Sequence, residues 1–114
     1  MQKKSKSKSP FTGRWRITSM AMWDQDFVDE EVPGYIEFKA GGLGDFQFGY
    51  VHCGIDWRET VRDETAAAEF SFEGMDEMTP TSGRGWAAMK DGQLNGIFYF
   101  HHGDESEFTA TKLR

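Results

Sequence analysis

Apolar and polar residues alternate with period two along most of the chain, the pattern of strands with one buried face. Trp15 and Ile17 alternate with Arg14, Arg16 and Thr18. Ile36 and Phe38 alternate with Tyr35 and Glu37, and Phe46, Phe48 and Tyr50 follow at the same spacing. Ile55, Trp57, Glu59 and Val61 form the next stripe, then Ala66, Ala68, Phe70 and Phe72. Trp86 and Ala88 continue it, followed by Leu94, Gly96, Phe98 and Phe100, and finally Phe108 and Ala110. Turn residues punctuate the stripes at Gly41-Gly42-Leu43-Gly44, Asp63-Glu64, Asp91-Gly92 and His102-Gly103-Asp104. Residues 74–83, which contain Pro80, read as a longer loop.

The pattern predicts eight strands near residues 13–19, 35–39, 45–53, 55–62, 66–73, 84–90, 93–100 and 106–113. Short connections make neighbours in sequence antiparallel neighbours in space. A twisted meander of eight strands closes, because closure removes exposed edges. The expected fold is therefore an all-β, eight-stranded antiparallel meander barrel. One stretch departs from period two. Between Met20 and Val32, Trp23 and Phe27 stand four apart, which suits a short helix stopped by Pro33-Gly34.

Composition sharpens this picture. Ten Phe, four Trp and three Tyr occur in 114 residues, whereas Leu occurs only at positions 43, 94 and 113, so aromatic rings must fill the interior. The length suits one domain. Residues 1–10 carry Lys3, Lys4, Lys6 and Lys8 without an acid and read as a disordered basic arm, leaving 11–114 as the barrel. Removing those four lysines from the net charge of −6 leaves −10 on the body. Such a body argues against nucleic acid and against anionic membrane surfaces as partners. No stretch reaches the ~20 apolar residues of a membrane helix, and no signal peptide is recognisable. The lone Cys53 cannot form an internal disulfide, which points to the cytoplasm.

Gly13-Arg14-Trp15, opening the first strand of an all-β chain, resembles the Gly-x-Trp signature of lipocalins and other calycin-type barrels. The resemblance implies that Trp15 plugs the narrow end of the barrel, with Lys112 or Arg114 lying across its ring. Leu94 through Phe98, together with Phe108 to Ala110, is similar to the final hairpin of a calycin or avidin-type barrel.

Candidate chemistry is sparse. His52-Cys53 and His101-His102 with Asp104 contain ligand types but not the paired spacing of a zinc site. His101 and His102 are expected on opposite faces of a strand, and a haem ligand among them has no accompanying motif. No metal or cofactor is expected. Asp24, Asp26, Asp29, Glu30 and Glu31 crowd the helical segment, and Glu73, Asp76 and Glu77 the long loop. These acids are the sole support for an enzyme. Gly83-Arg84-Gly85-Trp86 lacks the lysine and helix start of a phosphate loop. If Arg84 points inward it becomes a candidate ligand contact. Cys53 reads as a buried, inert thiol.

The leading expectation is a non-enzymatic barrel holding a small apolar or aromatic ligand beneath Trp23 and Phe27, lined by Phe48, Phe72 and Phe98, with Arg84 as a polar contact. The rival is a filled barrel that is structural or binds proteins, and an enzyme is third. The closed end is expected at Trp15. The loops at Gly41-Gly44, Asp63-Glu64 and Asp91-Gly92 are expected at the opposite mouth, with the segment after Met20. Oligomeric state has no signal in the sequence.

Overall fold

The computed structural model describes residues 9–113. Its strands are β1 (Gly13–Met20), β2 (Tyr35–Phe38), β3 (Leu43–Phe48), β4 (Val51–Arg62), β5 (Thr65–Asp76), β6 (Thr79–Lys90), β7 (Gln93–Phe100) and β8 (Glu105–Lys112). Each strand pairs antiparallel with the next, and β8 returns to β1 to close the barrel. The chain is thus an all-β, closed eight-stranded meander. Among the described residues no helix is long and apolar enough to cross a membrane. Residues 1–8 of the expected arm lie outside the described residues; Phe11, just after it, is fully buried.

The expected helix shrinks to one turn, α1 (Gln25–Val28), in the β1–β2 connection. Asp24 caps it by accepting the Phe27 N–H at 3.0 Å. Asp29 ends it, because its carboxylate is taken up by Arg16 and by the Gly34 N–H. The remainder of the segment follows these tethers rather than a helical path.

Two hairpins fall elsewhere than the pattern suggests. The β3–β4 turn is Gly49-Tyr50, so β4 runs through Gly54 without a break. The stretch 74–83 is not a loop. It is the end of β5 and the start of β6, joined at Glu77-Met78, and Glu77 adopts a φ of +58°. Pro80 fits because it stands at the second position of β6, opposite Met75, where the ladder ends.

The barrel ends also sort differently. Chain direction alternates, so the connection after β2, the Asp63-Glu64 turn and the Asp91-Gly92 turn all lie at the Trp15 end. The opposite end carries the segment after Met20, Gly49-Tyr50, Glu77-Met78 and the turn after Phe100. The expectation that the first group flanks the Trp23 mouth is overturned by strand parity alone.

At the Trp15 end the indole is 2% exposed and donates its Nε1–H to the Phe11 carbonyl at 2.9 Å. Lys112 Nζ lies 4.9 Å from the ring centroid, as expected from the resemblance. Arg114, the other candidate, is outside the described residues. Trp57 closes the same end, donating to the carbonyls of Lys39 and Leu43 at 3.0 Å.

Candidate functional site

The interior is built from the inward residues of every strand. Val51, Cys53, Ile55 and Trp57 of β4 point in, and Phe70 and Phe72 of β5 face them. The lumen is packed with rings in mutual contact. Phe46 and Phe98 have centroids 4.7 Å apart, Phe98 and Phe108 4.6 Å, and Phe46 and Phe72 5.0 Å. Above them Trp23 lies 5.1 Å from Phe48 and stacks on Phe27 at 6.2 Å. Five of the six residues singled out from the sequence, Trp23, Phe27, Phe48, Phe72 and Phe98, therefore join one continuous aromatic cluster.

Arg84 is not among them. The register of β6 is opposite to the expected one: Gly83, Gly85 and Ala87 face inward, and Arg84, Trp86 and Ala88 face outward. The reason lies in the Asp91-Gly92 turn. It places Gly85 opposite Phe98, and Phe98 is committed to the lumen. Gly85 also makes room for a ring, since a Cβ there would come within 2.7 Å of Phe70 Cζ. The glycines beside Arg84 thus seat phenylalanines inside, and the large residues between them go outside.

What they form outside is an open groove of about 640 Å³ across β4–β7. Arg62 lies over the Trp86 ring, with its guanidinium carbon 4.2 Å from the centroid. Arg84 lies over Tyr99 at 5.3 Å. Arg58 at the groove's edge is paired with Glu69 at 2.7 Å. Among the described residues neither Arg62 nor Arg84 has a carboxylate within salt-bridge distance. The Trp86 Nε1 is shielded from solvent and has no hydrogen-bond partner. A polar atom in that state costs about 1–3 kcal/mol.

A second groove of about 650 Å³ continues from the first, sharing Arg62 and Trp86. Its lining is more apolar, with Ala88 and Ile97 outward on either side of the β6–β7 ladder, although Asp63, Lys90 and Glu107 also border it. The two form a cationic and an apolar half, divided at Trp86.

Comparison with family models, with curated proteins and with solved structures finds no match for this chain.

The remaining candidates are dispersed. His52 faces outward and contacts Asp45 at 3.1 Å, and Asp45 also accepts from the Tyr35 hydroxyl at 2.6 Å. Burial, and then that hydrogen bond, push the Tyr35 hydroxyl up to about 12. Cys53 is buried, and burial, reinforced by the charges of Asp76 and Glu73, pushes its thiol up to about 12. A thiol so shifted is a poor nucleophile. His101 and His102 are not on opposite faces of a strand. They sit in the β7–β8 turn with rings 4.1 Å apart, because His102 adopts a φ of +57°. Among the described residues no three His, Cys, Asp or Glu side chains are grouped to hold a metal. Asp24, Asp26, Glu30 and Glu31 are spread over the surface of the cap, whereas Asp29 is the tether to Arg16.

The sequence reading overlooked Arg58, Arg62 and Tyr99. The signal was present. Counting back from Asp91-Gly92 puts Arg84 opposite Tyr99, and counting from Asp63-Glu64 puts Arg58 opposite Glu69.

Proposed function

We propose that this protein is a non-enzymatic interaction module, a filled calycin-type barrel that binds through its outer wall. The observation that carries this reading is the placement of unused recognition groups. Among the described residues the Arg62 and Arg84 guanidiniums have no carboxylate partner, and they lie over Trp86 and Tyr99 in one outer groove. Meanwhile Phe46, Phe48, Phe72 and Phe98 occupy the lumen in ring contact. Arg, Trp and Tyr are the residue types that dominate protein interfaces. The calycin-type assignment is supported by Trp15 beneath Lys112 at the closed end. The single buried Cys53 supports residence in the cytoplasm.

A second reading keeps an apolar ligand beneath Trp23. It is favoured by the contact of Trp23 with Phe48 through an irregular segment, which is how a movable cover is built. One experiment separates the two. A variant retaining Trp23 as its sole tryptophan is titrated with the neutral probe N-phenyl-1-naphthylamine. The filled-barrel reading expects no saturable change. A saturable rise in the emission of the probe itself, abolished by Phe72→Trp, overturns it in favour of a lumen ligand.

A further inference from the structure

The geometry points to a defined occupant for the outer wall: a segment of a partner protein that presents a carboxylate beside an apolar side chain. This proposal rests on the outer-wall reading and specifies its chemistry.

The cationic half recognises the carboxylate. Stacking on Trp86 and Tyr99 holds the faces of Arg62 and Arg84 against aromatic rings, and among the described residues their N–H edges have no carboxylate within salt-bridge distance. Such a guanidinium is pre-oriented, so little side-chain entropy is lost when it takes a carboxylate through two parallel hydrogen bonds. Arg58 is paired with Glu69 and Asp56 lines the same groove, so its three arginines outnumber its two carboxylates, and among the described residues Arg62 and Arg84 make no salt bridge. They stand out on a body of net charge −10, where most of the surface repels an anion and this groove attracts it.

The apolar half sets what lies beside the carboxylate. Past Trp86 the outward apolar side chains of the groove are Ala88 and Ile97, beside Asp63 and Glu107. Both halves are open grooves on a convex wall, a shape that fits an extended segment better than a small molecule, whose sites are concave and enclosing. Because the barrel is closed there is no free strand edge for a peptide to extend. Recognition must therefore run through side chains, and the two grooves supply them.

The test uses NMR of the four indole N–H signals, with the Trp86 signal assigned from Trp86→Phe. One probe is a capped hexapeptide alternating glutamate and leucine. The other is the same peptide with glutamine in place of every glutamate. The expected result is a saturable shift of the Trp86 signal with the acidic peptide, weakened at least about tenfold by the glutamine exchange. The Arg62→Gln/Arg84→Gln variant weakens binding to a similar degree. Its Trp15 and Trp57 signals stay in place, showing an intact barrel. The proposal is overturned if the Trp86 signal does not move, if the glutamine peptide binds equally well, or if the double variant binds like the parent. It is also overturned if sedimentation reveals a dimer that the double variant dissolves, since the occupant is then a second copy. A shift at Trp23 alone defeats the outer-wall reading itself, and so distinguishes the two failures.

Discussion

The guanidinium of Arg16 grips the carboxylate of Asp29 through two hydrogen bonds of 2.8 Å each, tying the barrel wall to the segment that covers its far end. Asp29 accepts further bonds from Gly34 N–H at 2.8 Å and from Gln25 at 3.1 Å. The Arg16 bond, with help from these others, holds the Asp29 carboxyl below its ordinary value of 3.8. A depressed carboxylate contributes stability above the unfolded-state pKa and loses it as pH falls through the folded one. Unfolding midpoints measured from pH 7 down to pH 2 should therefore drop below about pH 4, and Asp29→Asn should flatten part of that slope. At neutral pH the substitution should cost on the order of 1 kcal/mol, because the pair is partly exposed. Protease cleavage within residues 21–34 should rise. Unchanged acid behaviour in Asp29→Asn would show that the tether carries no linkage.

Trp15→Ala should cost roughly 3–5 kcal/mol in chemical denaturation, since it empties the closed end and orphans the Phe11 carbonyl. Lys112→Ala should cost only about 0.5–1 kcal/mol, the worth of an exposed cation on a ring. Equal losses from the two would mean that the lysine, rather than burial of the indole, holds that end shut.

Gly85→Ala should destabilise by about 1–3 kcal/mol, because the added methyl meets the Ile97 carbonyl oxygen and the Phe70 ring. Gly54→Ala is the matched control. Its Cβ would find only the Gly44 carbonyl oxygen at 3.9 Å, so stability should hold or rise slightly. If both variants behave alike in thermal melts, β6 does not pack against Phe70 as described.

The Asp63-Glu64 turn holds two non-glycine residues at φ of +50° and +64°. Side chains pay an energetic penalty there, and the second position of such a turn favours glycine. Glu64→Gly should raise the melting temperature by a few degrees, corresponding to about 0.5–1 kcal/mol. A fall would show that Glu64 makes a contact worth more than the strain.

The strands were legible because period two and turn chemistry agree over most of the chain. Trp15 through Met20, Tyr35 through Phe38, Leu94 through Phe100 and Phe108 through Ala110 needed no tertiary information. The stretch 74–83 misled because Pro80 and a run of polar residues carry loop statistics, whereas the register from the preceding strand keeps them paired. Trp86 misled for a related reason. A large aromatic between Gly85 and Ala87 suggests an inward ring, yet volume inside was already claimed by Phe70 and Phe98, so the small residues went in. The outer groove stayed hidden because it depends on cross-strand register. Arg62 and Trp86 are distant in sequence, and no local pattern joins them.

Barrel closure imposes an order on folding. Seven ladders join strands adjacent in the chain, but the eighth joins β1 to β8, where Thr18 and Thr109 meet across a separation of 91 residues. Hairpin pairing is quick, whereas a contact that closes so long a loop must await the collapse of everything between. Until that last seam forms, β1 and β8 are both bare edges carrying Trp15, Ile17 and Phe108. The concluding step of folding is thus the one in which the chain is most apt to pair with a neighbouring molecule instead of with itself.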